Sequence, residues 1–438
     1  MSTVSINFEK TVGPIKPMHA VNNGPIKAPA SQTRGNFDLW LETGIPYARN
    51  HDASFCSSYG GEHCVDVWCI FPNPDADVND PASYDFTLTD EYIATTMEAG
   101  TQVFYRLGSK IEHWKKKYGI LPPPDFQKWA EICEHIILHY NEGWADGFHH
   151  NIEYWEIWNE PDNEKDEYPI EKRQTWGGTK AQFFDFYEIA AKHLKSRFPH
   201  LKIGGPALSW LEDWAYDFLG EMSRRGVPLD FFSWHRYCMD PKQVIAREKV
   251  FRGYLDEFGY TQTESICNEW NYVKDWSDNF IKSIETIISM KGAALTAGCM
   301  LGSQQTTMDM LMYYDAQPTI WNGLFDYYTF KPLKGYYPFV MFNTLYKLGT
   351  SVEVAIDDEC VYAAAAKDAD NRQAIMICYY TDEEETMPVK DIVLDMCASA
   401  GSYELYLLDD AHTNECIHTG PVTSVTLKPN SVVLLKSC

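Results

Sequence analysis

Residues 15–349 alternate short apolar runs with amphipathic helical patterns, whereas residues 350–438 form short strands with no helix between them. These two observations predict an α/β chain, a (β/α)8 TIM barrel followed by a small antiparallel β-sandwich. A third supports closure: eight strand–helix units can be counted, the number that closes such a barrel. The competing arrangement is a doubly wound open sheet, and its dinucleotide-binding version is disfavoured because no Gly-x-Gly-x-x-Gly follows any strand.

The eight strands are read, in order, at KPMHAV (16–21), IPYAR (45–49), VFYRLG (103–108), IEYWEIW (152–158), LKIGGP (201–206), LDFFSWH (229–235), ESICNEW (264–270) and ALTAGCM (294–300). Helices lie between them. DFQKWAEICEHIILHY (125–140) keeps Phe126, Trp129, Ile132, Cys133, Ile136 and Ile137 on one face. Residues 179–198 repeat that pattern behind a Thr179 cap, and Val244 to Phe258 continues the series. After Gly349, the runs VEVAIDDECVYAAAA, QAIMICYYT, DIVLDM, YELYLLDD and SVTLKPNSVVLLK are bounded by turn residues and give the sandwich. Residues 1–14 also alternate like a strand and are expected to pair into it, so the organisation is 1–14, 15–349 and 350–438.

Composition narrows the function. A net charge of −25, from 62 acids against 37 bases, argues against nucleic acid or an anionic membrane as partner. MSTVSINFEK lacks the basic and apolar pattern of a secretory signal, and no run of about 18 apolar residues occurs, so a cytoplasmic protein is expected. The 12 cysteines are scattered, several within apolar runs, and are expected to be reduced. His63, Cys64 and Cys69 lack standard zinc spacing, and His149–His150 precede a strand at the end away from the rim; neither group is expected to bind metal.

In such a barrel the active site lies at the C-terminal ends of the strands. Those ends carry Arg49-Asn50-His51-Asp52, Arg106-Leu107-Gly108, Asn159-Glu160-Pro161, His235-Arg236-Tyr237 and Asn268-Glu269-Trp270. Two of them hold an Asn-Glu pair, 269 − 160 = 109 residues apart, or three strand–helix units. Glu160 then ends the fourth strand and Glu269 the seventh, facing each other across the mouth. Opposed carboxylates are the machinery of glycoside hydrolysis. One donates a proton to the leaving oxygen; the other attacks the anomeric carbon or activates water. Spacing alone leaves open which carboxylate is which.

WEIWNEPD (155–162) resembles the acid/base motif of clan A glycoside hydrolases, and of family 39 in particular, which includes β-xylosidases and α-L-iduronidases. SICNEWN (265–271) resembles the nucleophile strand of that family, DFFSWHRY (230–237) its sixth strand, and TWGGTKAQFFDFY (175–187) the approach to its fourth helix. The resemblance implies that Glu160 is the general acid/base and Glu269 the nucleophile of a retaining double displacement. It further implies that Asn159 bonds the sugar 2-hydroxyl, that Tyr237 touches Glu269, that His51 and His235 bind hydroxyls, and that Trp321 floors the sugar site. Glu160 should then have a raised pKa.

YYDAQPTIWNG, carrying Asp315 ahead of Trp321, and nearby Asp326 do not match the acidic pattern of the family's β-xylosidases. KIEHW (110–114) and MHAVNNGP (18–25) also depart from it, making His113, Trp114, His19 and Asn23 candidates to line a differently shaped pocket. The activity expected is an exo-acting β-xylosidase, with arabinose or galactose release as the alternative and a non-catalytic sugar-binding barrel as the rival class. The partner expected is an oligosaccharide or small glycoside, with no cofactor and no metal; a homo-oligomer is compatible with the sequence.

Overall fold

A computed structural model describes residues 2–28, 34–52, 63–383, 386–396 and 401–438. Strand β1 (Ser2–Pro14) leads into eight short parallel strands: β2 (Ala20–Asn22), β3 (Tyr47–Arg49), β4 (Gln102–Leu107), β5 (Tyr154–Ile157), β6 (Lys202–Leu208), β7 (Phe231–His235), β8 (Glu264–Trp270) and β9 (Met310–Tyr313). They pair in sequence order, and β2 closes on β9. The fold is therefore a TIM barrel.

The helices form where the pattern places them. Asp125 caps Phe126–Glu142 by accepting from Lys128 N–H, and Thr179 caps Lys180–Arg197 in a reciprocal box with Gln182. Apolar rings from these two helices, including Trp129 and Phe186 at 4.7 Å, cover the outer face of the barrel beside Trp158.

One strand differs from the sequence reading. ALTAGCM (294–300) lies inside a helix, Met290–Gln304, capped by Ser289, and the eighth barrel strand is β9. Nearly every residue of that helix is buried, because the barrel covers one side and the C-terminal sheet the other. A helix apolar all round shows no amphipathic period, so a seven-residue window of it cannot be told from a buried strand.

The C-terminal region is one curled, mostly antiparallel sheet: β10 (Thr350–Ile356), β11 (Val361–Lys367), β12 (Gln373–Tyr379), β13 (Lys390–Asp395), β14 (Ser402–Leu408), β15 (Thr413–Pro421), β16 (Ser424–Leu427) and β17 (Ser431–Ser437). β1 inserts between β10 and β13, antiparallel to the first and parallel to the second. Alternation explains the uninterrupted apolar runs. Ala364, Ala366, Met376 and Leu434 face the barrel helices, while Ala363, Ala365, Ile375, Ile377 and Val433 face the sheet's own core.

Candidate active site

The barrel interior is built in layers. Its floor is apolar: Ala20, Phe104, Tyr154, Phe231, Ile266, Met310 and Met312. Two residues further along β3 and β5 on the same face stand Arg49 and Glu156, both fully buried and paired at 2.6 Å. Glu156 also accepts from Ser233 Oγ (2.6 Å) and Asn268 Nδ2 (2.5 Å). Arg49 donates as well to Asn22 Oδ1 (3.0 Å), Asn159 Oδ1 (2.6 Å) and Glu269 Oε2 (3.3 Å). One guanidinium thus orients residues from β2, β5 and β8, and the reach of its planar fork suits it to that task.

Above this layer the backbone departs from regular strand geometry. Trp158, Glu160 and Ala207 all have positive φ, at 75°, 49° and 57°, and Glu160 N–H donates to Ala207 O at 2.9 Å. Left-handed residues that are not glycine carry strain and persist where their surroundings impose it. In β8 the register with both neighbours shifts around Asn268 and Glu269. Strict alternation would turn one of two consecutive side chains outward; the irregularity lets both face inward.

Carboxylate oxygens of Glu160 and Glu269 and a ring nitrogen of His235 lie within 4.8 Å of one another. His235 Nδ1 is 2.8 Å from Glu160 Oε1, and its Nε2 is 3.6 Å from Glu269 Oε2. Tyr237 Oη donates to Glu269 Oε1 at 2.5 Å. Burial pushes the Glu160 carboxyl up to about 8, aided by the Asp162 carboxylate and opposed by Arg49. Asp162 is itself fixed by N–H groups of Ser209, Trp210 and Leu211. Burial also raises the Glu269 carboxyl, opposed by His235, then Arg49 and the Tyr237 hydroxyl. These three are the one set of His, Cys or carboxylate groups close enough to hold a metal among the described residues. As a hydrogen-bonded acid, imidazole and second carboxylate, they are equally a proton-transfer constellation.

Other predicted residues separate into those brought to this cluster and those left outside it. His51 is buried beside it and held neutral by burial, then by Arg49 and Arg106. Asn159 Nδ2, His51 Nδ1 and His235 Nε2 have no hydrogen-bond partner among the described residues. Trp321 is half-buried, its ring 5.3 Å from Tyr237 and 6.1 Å from Tyr314. Asn23 donates to Asp315 Oδ2 at 3.0 Å and accepts from Asp52 N–H at 2.9 Å. Asp315 is buried, with its pKa raised by burial and then by Asp52. Trp114 is 68% exposed on the loop after β4, and His113 is exposed beside it. Asp326 is half-buried and caps its own turn by accepting from Thr329 N–H. His19 lies outside any sugar pocket: it precedes β2, and its ring packs against Phe342 and Tyr346.

The sequence reading gave no role to Arg49 and Glu156, which form the hub. Their signal was present as one charge of each sign inside two apolar barrel strands. Tyr314, which donates to Asp52, became visible as a strand end only with β9 correctly placed.

A TIM barrel whose fourth and seventh strands bring two buried glutamates together defines a glycoside hydrolase type of site. The chain belongs to glycosyl hydrolases family 39, whose model matches residues 4–251. It is 26% identical over 205 residues to a β-xylosidase of Geobacillus stearothermophilus, covering 44% of this chain and 37% of that protein. With a β-xylosidase of Caldicellulosiruptor saccharolyticus it shares 27% over 299 residues, covering 63% and 56%. The chain thus spans between about a third and just over half of the length of these relatives. Among solved structures, a glucosidase from Croceicoccus marinus superposes with a TM-score of 0.78 at 21% identity, covering 100% of this chain and 98% of that one. The family match ends before Glu269, so the place of that residue in the pair rests on the geometry.

Proposed function

We propose that the protein is a retaining, exo-acting glycoside hydrolase of β-xylosidase type. The observation that carries this is the approach of the Glu160 and Glu269 carboxylates to within 4.8 Å. Retaining enzymes hold their carboxyl groups about 5–5.5 Å apart, whereas inverting ones need about 6.5–9.5 Å to admit a water. Glu160, held protonated, donates to the glycosidic oxygen as the bond breaks. Glu269, ionised beside Arg49, attacks the anomeric carbon and forms a glycosyl ester. Glu160, now a carboxylate, takes a proton from water, which attacks that carbon and releases Glu269. Asn159, oriented by Arg49, is placed to bond a sugar hydroxyl, and His51 and His235 offer the remaining polar contacts. Trp321 supplies an apolar face. Exo action is the reading supported by the hydrogen bonds that join the β2, β3 and β9 ends at the barrel mouth, through Asn23, Asp52, Tyr314 and Asp315.

A panel of nitrophenyl glycosides tests the reading. Turnover of the β-xyloside is expected, and Glu269→Ala should remove it. No turnover of any pentoside, hexoside or uronide would favour a sugar-binding protein. Proton NMR should show the retained anomer first; first appearance of the inverted anomer would overturn the mechanism.

A further inference from the structure

The mouth of the barrel is electrically lopsided. The sugar site is lined by carboxyl groups, those of Glu160, Glu269, Asp52 and Asp315, and the Arg49 and Arg106 guanidiniums beside it are fully buried. Arg49 is shared with Glu156 and Glu269, and Arg106 is tied to Asp66 and His51 O. Residues 29–33 and 53–62 contain no Lys or Arg. A terminal sugar carrying a carboxylate would meet these carboxyls, with the Arg49 and Arg106 guanidiniums already engaged by Glu156, Glu269 and Asp66.

The lip on the leaving-group side has the opposite character. The loop after β4 reads KIEHWKKKYG (110–119), with four lysines and one glutamate in a chain of net charge −25. His113, Trp114, Lys115, Lys116 and Tyr118 are exposed, and Lys116 Nζ lies over the Tyr118 ring at 5.0 Å. The loop is rigidly held. Glu112 accepts from Tyr118 and Gly119 N–H at 2.9 and 3.1 Å, Lys117 Nζ donates to Glu112 O, and Glu112 N–H donates to Gln174 O at 2.8 Å. Gln174 and Thr175 are bound in turn to Glu164, and Thr175 Oγ donates to Glu160 O at 2.6 Å. The basic loop is therefore fastened to the segment that carries the proton donor, whose side of the cleft receives the departing group.

We propose that this loop is a binding site for an anionic aglycone: the substrate is an oligosaccharide with an uncharged terminal sugar and a uronic acid on an inner residue. Trp114 stacks on the apolar face of an inner sugar, and Lys115 and Lys116 meet the carboxylate. Exposed aromatics interleaved with cations suit a flat, acid-bearing saccharide, whereas solubility is already provided by the acidic surface. The inference rests on the glycosidase reading and narrows it to a substrate class.

The test is a titration of the full chain with a neutral xylo-oligosaccharide and with one of equal length bearing an inner glucuronic acid, at low salt and at about 0.5 M NaCl. Two exposed ion pairs imply about five- to tenfold tighter binding of the acidic oligosaccharide at low salt. That preference should vanish at high salt and in Lys115→Ala/Lys116→Ala, while Trp114→Ala weakens both ligands. Nitrophenyl xyloside, too short to reach the loop, should turn over unchanged in the double variant. Equal affinities, failure to bind either oligosaccharide, or a preference untouched by the double substitution would overturn the inference. Loss of nitrophenyl glycoside turnover in the wild type would instead strike the glycosidase reading.

Discussion

The fourth and seventh barrel strands end in the same dipeptide, Asn-Glu, yet the two ends are different chemical environments. Glu160 sits on left-handed backbone against a buried imidazole, with the Asp162 carboxylate nearby and no cation in contact. Glu269 sits on an irregular strand in contact with a guanidinium and a phenol. Burial raises both carboxyls, Glu160 to about 8, while the neighbours of Glu269 oppose the rise there. The residue type is shared; the surroundings assign the roles.

Substitution should break this comparison in steps of decreasing size. Glu269→Ala removes the proposed nucleophile and should lower kcat on every substrate by about 10⁴-fold or more. Glu160→Ala should cost about 10²–10⁴-fold on substrates needing protonation, but much less on a dinitrophenyl glycoside, whose leaving group needs none. An equal loss on both leaving groups would mean that Glu160 is not the acid.

Arg49→Met would leave Glu156 buried without its cation and should destabilise the fold by about 3–5 kcal/mol, read by denaturant unfolding. A smaller change, Tyr237→Phe, removes a bond to a charged carboxylate, worth about 1.5–3 kcal/mol. Its kcat/KM should fall about 10- to 150-fold, and the acidic limb of the pH profile should move upward as Glu269 loses a donor that favours its anion.

The smallest effect concerns pH. Activity in the wild type should decline as pH rises through about 8, where Glu160 loses its proton. The folded pKa of Glu160 is above its unfolded value, so its stabilising contribution is complete below about 4.5 and is lost as pH rises through about 8. Glu160→Gln should therefore gain stability over the wild type at pH 9 and little at pH 4, measured as the difference in Tm.

Much of this was legible without coordinates. Seven of eight barrel strands overlap their predicted positions, because each is a short apolar run between an amphipathic helix and a polar turn. The eighth did not, because Met290–Gln304 is buried on all sides and lost its period. Glu160, Glu269, Asn159, His51, His235, Tyr237 and Trp321 were singled out from their positions at strand ends or by resemblance, and the structure places them around one mouth of the barrel. Arg49 and Glu156 were harder, since a charge within a strand has no partner until the barrel closes and sets Arg49 against a residue 107 positions away.

The sequence by itself determined the alternation of strands and helices, the separate strand-rich tail and the recurrence of Asn-Glu three units apart, all of which are local or periodic properties. Tertiary structure decided the different surroundings of the two glutamates, that Asn268 and Glu269 both turn inward, and that the loop bearing Trp114 is fastened to the segment after Glu160. Those outcomes depend on burial, strand register and charges distant in the chain, and such quantities exist only once the barrel has closed.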